Sequence, residues 1–120
     1  SKWPAAVAMP SSIVQVQQCV EWARFQCKKL TVVGGGHSGH CVWDGALAVD
    51  LQPGFGEAKF CSEECNLLSA GGGATLATIV KAAEEGGRMC CVGTAPSVGA
   101  GLLLQGGIGH LARWKGLAVD

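Results

Sequence analysis

The sequence predicts an α+β domain of mixed small sheets with flanking helices, spread over residues 1–120. Three observations carry this expectation. Short β-branched apolar runs alternate with two longer segments whose apolar residues recur at helical spacing. The 19 glycines gather in clusters at the ends of those runs and follow no fixed period, which marks shaped loops and not low complexity. The 120 residues suffice for one domain with a real core and little to spare.

Taken in order, Ala5–Met9 reads as a short strand closed by Pro10, which has no amide for a ladder. Ser11 or Ser12 can cap the helix that follows, where Ile13, Val16, Val20, Ala23 and Cys27 share a face through about Lys28. Leu30–Val33 is a buried strand that feeds a glycine loop. Ala46–Leu51 is another, ended by the turn signal Gln52-Pro53-Gly54. Lys59–Cys61 and Asn66–Ala70 can pair antiparallel across Ser62–Cys65. Gly71-Gly72-Gly73 leads into a second helix, about Thr75 to Glu85, with Leu76, Ile79, Val80 and Ala83 on one face and Gly86-Gly87 as its stop. Met89–Val92 reads as a last short strand. A second glycine system, Val98 to Gly109, and a short helical segment near His110–Trp114 close the chain.

Composition excludes several classes. The formal net charge is zero, so nothing favours nucleic acid or an anionic membrane surface as partner. No apolar run reaches the roughly 18 residues of a membrane span. Ser1-Lys2-Trp3-Pro4-Ala5 lacks the apolar core of a signal peptide and an initiator methionine. The expectation is therefore a processed chain or one cut from something longer. Charged residues make up 15% of the chain, below the ~25% usual in soluble domains. That shortfall suggests a piece that packs against more protein. Seven cysteines at irregular spacing fit mostly reduced, buried thiols better than a disulfide framework.

The stretch that carries chemistry is Val32-Val33-Gly34-Gly35-Gly36-His37-Ser38-Gly39-His40. Glycine turns through positive φ and lets a ligand reach its amides with no Cβ in the way. Successive bare amides form a concave site suited to phosphate or diphosphate. His37 beside them can act as base, ligand or covalent tether, or can be an ordinary loop histidine satisfied by backbone. No Gly-Lys-Ser/Thr follows, so the loop is not that of a nucleoside triphosphatase, and no helix pattern follows as a dinucleotide fold requires. Gly99-Ala100-Gly101 lacks the third glycine of that same fingerprint.

Other constellations read more plainly. Gly71–Gly73 is a tight connection into a helix. His40 suits a structural hydrogen bond, while His110 can donate to a phosphate or cap a helix. Cys61 and Cys65 form the one pair at zinc spacing, and adjacent Cys90 and Cys91 rarely ligate one metal, so no metal is expected. Ser38 beside His37 offers a nucleophile and base in name, without the Gly-x-Ser-x-Gly elbow of a hydrolase.

In order and spacing, these segments resemble the N-terminal flavin-binding region of berberine bridge enzyme-like, FAD-linked oxidoreductases. Those enzymes belong to the wider vanillyl-alcohol oxidase and p-cresol methylhydroxylase fold family. The resemblance runs nearly end to end. Pro4–Ser12 resembles the family's opening strand and helix entry, Gly34–His40 its pyrophosphate loop, and Val49-Asp50-Leu51 the strand that follows. Ala70–Leu76 resembles the entry into the second helix. Pro96-Ser97-Val98-Gly99, Gly106–Arg113 and Gly116–Asp120 resemble the second flavin loop.

The resemblance implies an FAD whose diphosphate lies over the amides of Gly35–Gly39 and the loops Ser97–Gly101 and Gly106–Gly109. The implied cofactor-binding set is Gly34, Gly35, Gly36, His37, Ser38 and Gly39; Pro96, Ser97, Val98, Gly99 and Gly101; and Gly106, Gly107, Gly109, His110 and Val119. His37 matches the histidine that members bond to the flavin 8α carbon. Members with a doubly attached flavin carry cysteine where this chain has Ala95, so a single histidyl link through His37 is expected. The family transfers a hydride from an alcohol, sugar or amine-adjacent carbon to flavin, with oxygen as acceptor in its oxidases. Its catalytic base and substrate domain come from later in the chain, and no residue here suits that base. The competing expectation is a non-catalytic nucleotide-binding or scaffold module that keeps the fold alone.

Overall fold

The computed structural model describes residues 2–62 and 66–120. Its first sheet is parallel and has three strands, β1 (Ala6–Ala8), β2 (Leu30–Val33) and β3 (Leu47–Asp50), in the order β1-β3-β2. β3 lies in the middle because it can be buried on both sides: Leu47, Ala48 and Val49 are all inside. Leu47 stands in register with Ala6 on one side and Leu30 on the other.

Helix α1 (Ile13–Phe25) covers one face of this sheet, setting Ala23 and Cys19 against Leu47, Val49 and Leu30. Ser12 is the cap, its Oγ accepting from the amide of Gln15 at 3.3 Å, while Gln15 Oε1 accepts from the amide of Ser11 at 2.7 Å. The helix stops at Phe25, short of the expected Lys28. Cys27 leaves the helix with φ +50°, and the amides of Cys27 and Lys28 fold back onto the carbonyls of Arg24 and Ala23. That is a Schellman stop with cysteine where glycine is usual. The apolar spacing continued past the backbone's own end.

Gln52–Phe55, expected as a turn, closes into a one-turn helix α2, with the amide of Gln52 held by Asp50 Oδ1 at 3.0 Å. Strands β4 (Ala58–Ser62) and β5 (Leu67–Ala70) pair antiparallel as expected, with a bulge between Phe60 and Ser62. Of the anticipated connection, Glu63, Glu64 and Cys65 lie outside the described residues, so only Cys61 of the Cys61–Cys65 pair is described.

Helix α3 (Leu76–Glu85) is capped by Thr75 and stopped by Gly87 at φ +65°. It packs Leu76 and Ile79 with Ala74 onto Ala58, Leu68, Val92 and Leu103, forming a second core. Met89–Val92, expected as a strand, is irregular. It packs against α3 and the Gly106–Gly109 loop and joins no sheet. A 3₁₀ turn at Ala100–Leu104 and helix α4 (Ala112–Lys115) finish the fold, the latter starting two residues later than the sequence suggests.

Among the described residues, no helix is long and apolar enough to cross a membrane. The cysteines depart from the expectation of burial. Cys27 and Cys61 are exposed, and Cys19, Cys41, Cys90 and Cys91 are half-buried free thiols. Apolar side chains also stand in solvent, with Phe25 84% and Leu104 82% exposed.

Candidate functional site

The first glycine loop hangs from the end of β2, whose last carbonyl, that of Val33, accepts from the amide of Leu51 at 2.9 Å. Gly34 passes so close to Gly72 that an added Cβ would sit 3.0 Å from the Gly72 oxygen. At Gly35 a Cβ would overlap the Gly99 amide and lie 2.8 Å from the Ser97 carbonyl oxygen. The same test at Gly99 finds Gly35 in the way. The two loops therefore meet backbone to backbone, which only glycine permits. Gly36 then turns through φ +66°.

Between the loops lies a cleft of about 470 Å³, lined by Gly34–Ser38 on one side and by Val98, Gly99 and Gly101 on the other. Among the described residues, none of the amides of Gly35, Gly36, His37, Ser38 or Gly39 donates to a backbone or side-chain acceptor. Bare donors beside a left-handed glycine are the arrangement that receives anionic oxygens. Among the described residues, no lysine, arginine, aspartate or glutamate lines the cleft, so an anion there would be met by amides and not by side-chain charge.

His37 stands at this cleft with its ring exposed. Its Nδ1 is 3.4 Å from the hydroxyl of Ser97, on the opposite loop. Ser38 looks inward to its own turn: its Oγ accepts from the amide of His40 at 3.1 Å, and its carbonyl accepts from the amide of Cys41 at 3.2 Å. That posture gives no support to a Ser38–His37 nucleophile pair. His40 does serve structure, through its carbonyl, which accepts from Trp43 Nε1 at 3.0 Å.

The structure does not gather the whole expected set. Gly39 is on the first loop but outside the cleft lining, and Ser97 stands at its edge. The Gly106–Gly109 loop lies apart. The Gly106 amide is already bonded to the Leu102 carbonyl, and the carbonyls of Gly106 and Gly107 accept from Val119 and Ala118 at 3.1 Å each. A Cβ on Gly109 would strike the Val92 carbonyl. Gly107 and Gly109 are spent on close chain packing, whereas a Cβ on Gly106 would meet nothing within 4 Å. Pro96 and His110 line a separate cleft of about 420 Å³ against α3, beside Cys90, whose thiol is pushed above its ordinary range mainly by burial.

Gly71–Gly73 is the tight connection the sequence suggests, since side chains there would collide with the carbonyls of Phe55 and Leu51. Three residues at the cleft escaped the sequence reading: Cys41, Leu102 and Gln105. Cys41 follows the loop by two positions. Leu102 arrives on a 3₁₀ turn that carries no periodic signal, and Gln105 follows at its end. Among the described residues, no three of His, Cys, Asp or Glu gather where a metal ion could sit.

Comparison with known proteins adds a second line of evidence. The profile of a family described as an FAD binding domain matches residues 4–120. A xylooligosaccharide oxidase of Thermothelomyces thermophilus is 35% identical over 123 residues, which cover 98% of this chain and 24% of that protein. The solved glucooligosaccharide oxidase of Acremonium strictum, with a 6-S-cysteinyl, 8α-N1-histidyl FAD, superposes with a TM-score of 0.87 at 30% identity over 98% of this chain and 25% of its own. The BBE-like 1 protein of Physcomitrella patens superposes with a TM-score of 0.83 at 31% identity, over 93% of this chain and 25% of its own. This chain thus spans about a quarter of the length of the curated relatives it matches.

Proposed function

The chain belongs to the FAD binding domain family, and from that premise we propose that residues 1–120 are the FAD-binding portion of an FAD-linked oxidoreductase. The fold is that of the flavin domain of vanillyl-alcohol oxidase and p-cresol methylhydroxylase-type enzymes, and the cofactor is FAD. The proposed reaction takes a hydride from a hydroxyl-bearing carbon of a sugar or similar alcohol, with oxygen as the final acceptor. The xylooligosaccharide and glucooligosaccharide oxidases among the relatives support that substrate class. They also favour an enzyme over a module that retains the fold alone. The substrate side and catalytic base belong, in this reading, to protein beyond these residues.

One observation carries the assignment. Among the described residues, the amides from Gly35 to Gly39 are unspent, and they line or adjoin a cleft held open by the glycine-to-glycine contact of Gly35 with Gly99. That cradle fits a diphosphate. Gly34, Gly35 and Gly36 bring the backbone close; Ser38 and Gly39 offer further amides; Val98, Gly99 and Gly101 form the facing wall. Pro96, Gly106, Gly107, Gly109, His110 and Val119 remain assigned on resemblance, as supports for that wall. When bound, the flavin supplies the two-electron acceptor that the side chains lack.

His37 is proposed as the single covalent attachment. Bound FAD would be held through one nitrogen of the His37 imidazole on the flavin 8α carbon; ring and methyl would each give up a hydrogen, and oxygen would take the electron pair. The related glucooligosaccharide oxidase uses a cysteinyl link as well. Here Ala95 stands where the second link would need a thiol.

The test is acid precipitation of the purified yellow protein. The parent is expected to keep its colour in the pellet and His37→Ala to release it to the supernatant. Colour retained by the variant would remove His37 as tether.

A further inference from the structure

Among the described residues, the His37 ring has one polar side-chain partner, the Ser97 hydroxyl, contributed from sixty positions further along the chain. We propose that Ser97 is the positioning residue for His37: its hydroxyl accepts from Nδ1–H, keeps the ring proton on Nδ1 and leaves the Nε2 lone pair free to take the flavin. The inference rests on His37 as the flavin attachment.

Its warrant is the rigidity of what lies behind each side chain. Gly35 and Gly99 press together, which leaves the two loops no freedom to slide. The Ser97 loop is also fastened to the start of α3. The Leu76 amide donates to the Val98 carbonyl, and the Ala100 amide to the Ala74 carbonyl, both at 2.8 Å. The serine is therefore held at a set distance from the imidazole. At 3.4 Å the contact is long, and a small ring rotation closes it, as is common for site hydrogen bonds before a ligand arrives. An exposed neutral imidazole left alone divides its proton between two nitrogens and samples several rotamers. A single hydroxyl that accepts from Nδ1–H selects one tautomer and one orientation. Ser97 Oγ has no other partner among the described residues, and the side chain is exposed, so its removal takes away orientation without opening the core.

Two measurements test this. In flavin-free protein labelled with [15N]histidine, and with the His37 signals assigned by their loss in His37→Gln, the parent should show Nδ1 protonated and Nε2 unprotonated. Ser97→Ala should show a mixture of tautomers. In a time course of acid-stable flavin incorporation, scored as the covalent fraction of bound flavin, Ser97→Ala should be roughly tenfold slower, the factor one ordinary hydrogen bond is worth. Ser97→Thr should restore the parent rate. An unchanged tautomer and an unchanged rate in Ser97→Ala overturn the proposal. If the alanine variant takes up no flavin, the nitrogen spectrum decides alone. Failure of the tether itself looks different, since His37→Ala would then keep its acid-stable flavin.

Discussion

At the scale of the residue, the cradle depends on an atom that is absent. Replacing Gly35 by alanine puts a Cβ onto the Gly99 amide and 2.8 Å from the Ser97 carbonyl oxygen, so the loops must part. Overpacking of this kind costs about 1–3 kcal/mol. Gly35→Ala is therefore expected to lower the denaturation midpoint and to abolish FAD uptake in a binding titration. FAD affinity equal to the parent's would show that the Gly35–Gly99 contact does not shape the site. Gly39→Ala is the informative contrast, because a Cβ there meets nothing within 4 Å. The first loop was legible in the sequence as a glycine turn at the end of a strand, while the role of His37 beside it stayed open among several. The approach of Ser97 to His37 was not. It is created by loop closure between residues sixty positions apart, and no local pattern encodes that.

At the scale of the element, the two long helices end by the same device with different residues. Both fold their last amides back in a Schellman stop, α3 through Gly87 at φ +65° and α1 through Cys27 at φ +50°. A side chain in the left-handed region carries a cost of about 1 kcal/mol or more that glycine avoids. Cys27→Gly is thus expected to stabilise the fold by about 1 kcal/mol, raising the thermal midpoint by several degrees. A lower midpoint would mean the cysteine side chain contributes packing that its exposure does not suggest. The contrast also explains what could be read in advance. Gly86-Gly87 announces the end of α3. Cys27 continues the apolar spacing of α1 and hides its end. Met89–Val92 misled for a related reason: a short apolar run reads as a strand, but a strand needs a neighbour to pair with. Here the neighbours are α3 and a glycine loop.

At the scale of the whole molecule, the two small cores leave much apolar surface uncovered. The chain has four tryptophans, and all are exposed, at 74% for Trp3, 46% for Trp22, 47% for Trp43 and 76% for Trp114. With no net charge to keep copies apart, such a surface favours association near neutral pH. In dilute solution the tryptophan emission should lie toward the red, with Trp3 and Trp114 the most hydrated, and be readily quenched by acrylamide. A blue-shifted, protected emission would mean that something covers these faces. Low charge content hinted at this surface, but its location depends on which helix faces the sheets leave bare. The cofactor assignment belongs to this scale too, because it joins a loop at the end of β2 to a loop fastened at the head of α3.

Tryptic peptide mapping of the flavin-loaded protein bears most directly on that assignment. The flavin is expected on the Leu30–Lys59 peptide, with fragmentation placing it on His37 and every other peptide at its unmodified mass. Flavin attached elsewhere in that peptide, or on the Met89–Arg113 peptide that holds Cys90 and Cys91, would contradict a single histidyl tether set beside the glycine cradle.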